Sequence, residues 1–187
     1  MPAHRASLQH FWRDQSGAAA VETALTLPFL LLLFFGIVNV ADYIASQRRL
    51  ATATALVGDL VARNDAVVSR RDIDDYFVAA RLTLGTRALE NVSIDVRALR
   101  KSGGVLAAAP RWSRSWGSGQ CPAPDLASLP DVIENERDII LTVACTGYTP
   151  PVVSFLGSNI LGFASTTLSE EVAAVPRQSA TLSCNDC

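Results

Sequence analysis

Histidine disappears from this chain after residue 10. His4 and His10 are the only two, so the rest of the sequence lacks the side chain most used for proton transfer near neutrality. Ser–His and Cys–His nucleophile pairs are thereby excluded from it, and no hydrolase constellation can be drawn. Lysine is almost missing as well: Lys101 stands alone among 16 basic residues, an arginine bias that reads as codon usage more than chemistry. No sign of charge dominates. With 18 acidic residues the net charge is −2, which leaves no basic stripe for nucleic acid. Neither a cofactor motif nor a small-molecule substrate site is legible. A metal site is disfavoured: with no histidine nearby, structural zinc would need all four cysteines, and Cys121 and Cys145 are poorly spaced for it.

Charge is also missing locally. Residues 23–41 carry none before Asp42. At 1.5 Å per helical residue that run reaches about 28 Å, enough for a hydrocarbon core. The long polar front, Met1 to Gly17 with Arg5 and Arg13, is unlike an ordinary secretory signal, and no good small-x-small site follows the apolar run. Basic residues do not orient the segment, since Arg5 and Arg13 are matched by Arg48 and Arg49. The cysteines do. Cys121, Cys145, Cys184 and Cys187 all follow the apolar run, as expected for an exported domain in an oxidising compartment. The N-terminus is then cytoplasmic. Four cysteines allow three pairings. Cys121–Cys145 with Cys184–Cys187 is favoured, because only Asn185 and Asp186 separate the last two.

What is present begins at Ser16-Gly17-Ala18-Ala19-Ala20-Val21-Glu22. A small-residue step sits just before a lone carboxylate at the mouth of the apolar run. Taken singly, Glu22 suits the positive end of a helix dipole, and the alanines suit helix propensity. A carboxylate at a membrane edge nevertheless carries a desolvation cost and invites a functional explanation. Pro28 inside the run predicts a kink or local loosening. Beyond the membrane, Leu50, Ala53, Thr54, Val57, Leu60 and Val61 recur at helical spacing up to Arg63. Packing on the protein's own domain is the favoured use of that stripe, and neighbouring subunits are the alternative.

The segment RDQSGAAAVETALTLPFLLLLFFGIVNVADYI resembles the N-terminus of TadE/TadG-like proteins, pseudopilins of the tight-adherence, Flp-type pilus. The resemblance covers residues 13–45 and rests on Gly17 to Glu22, Ala24-Leu25, Leu27-Pro28, the leucine run, Phe35-Gly36-Ile37 and the polar exit at Asp42. It implies cleavage between Gly17 and Ala18 by a prepilin peptidase at the cytoplasmic face of the inner membrane. Glu22 would then meet the free N-terminal amine of a neighbouring subunit. Thr23 departs from the pattern, since Flp major pilins have Tyr there and many TadE-like proteins an aromatic. Major pilins are also little more than this helix, so a minor pseudopilin fits better. The von Willebrand A-like domain of larger TadG-type proteins, with its Asp-x-Ser-x-Ser motif, is absent.

The remainder predicts α+β, a pilin-like arrangement in which the long helix extends into a periplasmic domain with a second helix and an antiparallel sheet of about four to five strands. The expected division is a leader over 1–17, the helix over 18–63, the domain over 64–175 and a cysteine-tied tail over 176–187. After a turn at Asn64-Asp65, Ser69 and Asp72 form a capping-box variant opening a helix over Arg70–Leu84, with Gly85 as its stop. Alternation from Asn91 predicts a strand. The Lys101–Gly104 turn then leads to Val105–Ala109 and Arg111–Trp116. Asp138–Tyr148 reads as a central strand, Pro122–Pro130 as a loop, and Pro150 to Leu161 as a short helical or looped piece. Phe163–Val175 is a further strand, with Glu170-Glu171 at a bulge or exposed stretch. Arg111, Trp112, Arg114 and Trp116 offer an aromatic surface for a sugar or partner protein. The simpler reading, favoured for large aromatics, turns the Trp face inward and leaves Arg in solvent. Two functions compete: a minor, non-enzymatic pilus-assembly subunit, or an unprocessed membrane-anchored binding or scaffold protein.

Overall fold

The structure, a computed structural model, describes residues 16–85, 92–107, 109–119, 121–124, 126, 135–156 and 165–187. The leader before Ser16, Asn91, Phe163 and parts of Pro122–Pro130 and Pro150–Leu161 lie outside those residues. The chain divides into two compact units, Met1–Ala41 and Asp42–Cys187.

In the first unit the described residues belong to one helix, α1 (Ser16–Ala62), which continues past Pro28. Val21, Leu25, Leu27, Phe29, Leu30, Leu31, Ile37 and Val38 are all exposed, and at about 100° per residue these positions are spread around every side of the helix. An all-round apolar surface suits lipid, whereas a water-facing helix is apolar along one stripe. The hydroxyls are turned inward to suit. Thr26 donates to the Glu22 carbonyl at 3.0 Å, and Thr23 donates to that of Ala19. Each bond supplies a partner that lipid could not.

The second unit is α+β. From Asp42 onward α1 buries Leu50, Ala53, Thr54, Val57 and Val61, the expected stripe. Then follow β1 (Val67–Ser69), α2 (Arg70–Leu84), β2 (Ser93–Ser102), β3 (Val105–Leu106), β4 (Trp112–Gly117), β5 (Asp138–Tyr148), α3 (Pro151–Leu156), β6 (Thr166–Ala174) and β7 (Ser183–Asn185). The Ser69–Asp72 capping box forms as read. The Ser69 hydroxyl accepts from the Asp72 N–H, and the Asp72 carboxylate accepts from the Ser69 N–H at 3.1 Å. The Ser69 hydroxyl and N–H together hold the Asp72 carboxyl below its usual pKa. Gly85 closes α2 at φ 77°.

Five strands make the main sheet, all antiparallel. β2 lies between β5 on one side and β3 with β4 on the other, and β6 pairs the far side of β5. One face carries Ile94, Val96, Ala98, Ile140 and Ala144 against Val57 and Phe77 in the main core. The opposite face carries Leu99, Leu141 and Val143 in a smaller cluster with Cys121 and Leu126. Burial on both faces explains why β5 has no alternation. Glu170 and Glu171 pair regularly with Ala144 and Val143, so of the two readings, a bulge or an exposed stretch, the bulge does not form: the pleat turns them to opposite faces, with Glu171 exposed and Glu170 half-buried.

Residues 176–187 are tied down by more than their cysteines. β7 pairs in parallel with β1, Val68 opposite Cys184. The Arg177 N–H donates to the Ala62 carbonyl at 3.0 Å and the Ser183 N–H to that of Ala66 at 2.9 Å. Leu182 is fully buried. This segment closes the C-terminal end of α1, where helix carbonyls have no partners of their own.

Candidate functional site

Two places gather the residues of interest: the start of α1 and the framework of the domain. At the start, Gly17 and Ala18 occupy the first turn, with nothing within 4 Å of a Cβ placed on Gly17. The step is therefore sterically open. Glu22 follows one turn later on the exposed helix surface. Its carboxylate meets no partner among the described residues, and the next charged residue along α1 is Asp42. A single acidic group thus stands at the head of an otherwise apolar cylinder.

The Arg111–Trp116 strand departs in part from expectation. Trp112, Arg114 and Trp116 are two residues apart and share one face of β4. Trp112 and Trp116 pack against the main core. The Trp112 indole N–H donates to the Leu182 carbonyl at 2.9 Å, and the Arg81 guanidinium lies 5.5 Å from the Trp116 ring centre. Arg114 is not left in solvent. It sits between the two tryptophans and donates to both carboxylate oxygens of Asp74 on α2, at 3.0 and 3.2 Å. Arg111 is also engaged, at 2.7 Å from Asp138. The strand thereby fastens α2 and the C-terminal segment to the sheet.

Asp138 is the group the sequence did not flag. Its side chain is fully buried at the start of β5. One carboxylate oxygen accepts from Arg111 at 2.7 Å and from the Leu182 N–H at 2.8 Å, and the Asp138 N–H donates to the Ala180 carbonyl. Arg100 lies 3.9 Å from the other oxygen. A buried carboxylate is tolerated only with such partners. The available signal was a lone Asp opening an apolar run.

Both disulfides follow the favoured pairing. Cys121–Cys145 has a Cα separation of 5.3 Å and spans 24 residues; Cys184–Cys187 has 5.7 Å and spans 3. The first pins the segment around Cys121 over the smaller sheet cluster and closes a loop worth about 3 kcal/mol on chain entropy. The second rings the end of β7. Among the described residues no group of three or more His, Cys, Asp or Glu is placed to hold a metal.

Where the domain begins, the Tyr148 hydroxyl donates to Asp42 at 3.2 Å, and the Tyr43 and Tyr148 rings meet edge to face at 5.4 Å. Burial, with the Asp42 charge second, pushes the Tyr148 phenol up to about 12. Further along α1, a Cβ on Gly58 would lie 3.2 Å from the Thr142 hydroxyl, so the helix passes close to β5 there.

Among the described residues one helix, Gly17–Ala62, is a candidate membrane span by length and composition, and it continues into a disulfide-stapled α+β domain. Residues 17–57, less than a quarter of the chain, match the family model described as TadE-like protein, a family associated with the Tad pilus. No curated protein and no solved structure matches the chain.

Proposed function

We propose that this protein is a minor pseudopilin of a Flp-type, tight-adherence pilus. A prepilin peptidase cuts it between Gly17 and Ala18, α1 holds it in the inner membrane, and its domain stands in the periplasm. Its role is assembly, and it performs no chemistry of its own. The observation that carries the reading is the isolated Glu22 carboxylate, placed one turn after the open Gly17–Ala18 step within the TadE-like segment.

The physical logic runs through charge in lipid. An unpaired carboxylate at the edge of a hydrocarbon core is costly, and an ammonium in register offsets that cost. Cleavage after Gly17 creates such an ammonium on Ala18. The amine of one subunit and Glu22 of the next then form a pair that exists only in the assembled bundle. Mass spectrometry of the membrane-extracted protein tests the reading. A mature N-terminus at Ala18 is expected. An intact Met1-to-Cys187 chain would instead favour an unprocessed anchored scaffold.

A further inference from the structure

We propose that Cys184–Cys187 is a reversible redox site, opened by a partner protein whose cysteine pair is flanked by acidic residues. Every residue involved lies in the Asp42–Cys187 unit, and the site is independent of how α1 is processed. The two disulfides differ in what they hold. Cys121–Cys145 joins residues 24 apart and ends on a buried cysteine, whereas Cys184–Cys187 spans 3 and closes only a tight ring. The chain that carries the ring is already fixed without it. β7 pairs with β1, the Ser183 N–H donates to Ala66, and Leu182 is buried with its carbonyl accepting from Trp112. A short loop restrains the unfolded chain least, so the ring adds little to that anchoring.

Its surroundings suit thiol–disulfide exchange. The parallel register sets Cys184 beside Val68 and Asn185 beside Ser69, the N-cap of α2, at the strand spacing of about 4.8 Å. Asp186, inside the ring and in the left-handed region at φ 67°, shares the wall of an open cavity of about 500 Å³ with Ser69, Arg70, Arg71 and Asp74. Asp72 is held in the capping box and Asp74 by Arg114. Arg70 and Arg71 form no ion pair among the described residues, and the paired strands Val67–Ser69 and Ser183–Asn185 bring no charge. Two free guanidiniums therefore stand against one free carboxylate, Asp186, at the positive end of a helix dipole. Helix N-termini and arginine favour the thiolate, and a thiol of lower pKa leaves faster in exchange. Access is provided, since Cys187 is exposed and Cys184 half-buried.

A partner thiolate attacks the Cys187 sulfur, the Cys184–Cys187 bond breaks, and Cys184 leaves as a thiolate. The partner's second thiolate then attacks its own sulfur in the mixed disulfide and expels Cys187 as a thiolate. The partner pair loses two electrons and this pair gains them, while the protons of the partner thiols pass to the released thiolates or to water. The positive wall selects acidic residues around the partner's cysteines. Opening the ring frees Asp186 and loosens the end of β7 beside α2, while Leu182 and Cys121–Cys145 keep the rest of the domain closed.

The test takes the full-length oxidised protein in detergent and small thiols of different charge: 2-mercaptoethanesulfonate, 2-mercaptoethanol and cysteamine. Rates are compared at equal thiolate concentration and low salt, with initial adducts mapped by mass spectrometry. Adducts are expected first on Cys187, about tenfold faster with the sulfonate than with the ammonium thiol, and salt at about 1 M should erase that preference. After selective opening of the ring, iodoacetamide alkylation of Cys184 and Cys187 should show a pH midpoint below the ordinary thiol value of about 8.5. Arg70→Gln/Arg71→Gln should return the midpoint toward that value and abolish the charge preference; both arginines are exposed, so the fold is kept. An ordinary midpoint in the parent protein, or equal rates with the three thiols at low salt, would overturn the inference without any variant and leave the ring a passive staple. Initial adducts on a cysteine other than Cys187 would overturn it too. So would an unchanged midpoint in the double variant, which would remove the start of α2 from the site.

Discussion

The Asp138 carboxylate accepts the Leu182 backbone N–H at 2.8 Å, joining the first residue of the central strand to a segment 44 positions later. Arg111 shares the same oxygen, so one buried group ties β4, β5 and the C-terminal segment together. Asp138→Ala should leave both donors unmatched and lower the unfolding free energy by about 3 kcal/mol. Amide exchange at Leu182 is the specific readout. Protection there as strong as in the parent protein would show that the carboxylate does not hold the segment.

Close approach at Gly58 makes a second prediction. A leucine there must displace Thr142 and Val172 from a filled core, so Gly58→Leu should cost about 1–3 kcal/mol by overpacking. A Cβ on Gly36 meets nothing within 4 Å, so Gly36→Leu should leave the domain's urea midpoint unchanged. Equal midpoints for the two variants would contradict the packing argument.

Tyr148 gives the stability an alkaline limit. Its folded pKa is raised from 10.0 to about 12, so the folded state binds the phenolic proton more tightly than the unfolded chain. The contribution is complete below pH 10 and is lost as pH rises through about 12. Tyr148→Phe should cost about 1 kcal/mol at neutrality through the lost hydrogen bond to Asp42. It should also flatten the decline in urea midpoint over that alkaline window. An equally steep decline in the variant would assign the limit to another group.

The two disulfides should reduce in order. Cys145 is only 2 % exposed, whereas Cys187 is open to solvent and Cys184 half so. Attack by a thiolate depends on access. Limiting dithiothreitol followed by alkylation should mark Cys184 and Cys187 first, with little loss of stability because their loop is short. Labelling of Cys121 and Cys145 ahead of them would contradict the burial argument.

At the membrane end, Gly17→Ala should slow processing of the precursor, read as a band shift on gels. Glu22→Ala should be cut normally yet reduce piliation at least tenfold, while Glu22→Asp should retain part of it. Wild-type piliation by the alanine variant would remove the role given to the carboxylate.

What the sequence disclosed was local. The capping residues Ser69 and Asp72, the bounds of Arg70–Leu84 and the apolar block Asp138–Tyr148 are set by neighbours within a few positions, so propensity and periodicity reach them. The TadE-like resemblance is local too. What stayed hidden is set by distant partners. Val67–Ser69 is too short to announce a strand and becomes one by pairing with Ser183–Asn185. Arg114 looks like a solvent residue until α2 brings Asp74 over it. The role of Asp138 depends on Arg111 and Leu182, neither adjacent in sequence. Alternation alone places Trp112, Arg114 and Trp116 on one face, and that signal was available.

The pairing of β1 with β7 also has a temporal side. A chain made from its N-terminus delivers β1 long before β7. Until residues 177–185 arrive, the Ala62 and Ala66 carbonyls lack their donors and the Leu182 position in the core is empty. Completion of the domain therefore waits on the last residues to emerge. During that interval the end of α1 is open to chaperones and proteases, and a chain halted after Val175 should be cut near Asp59–Ser69 where the full-length protein resists.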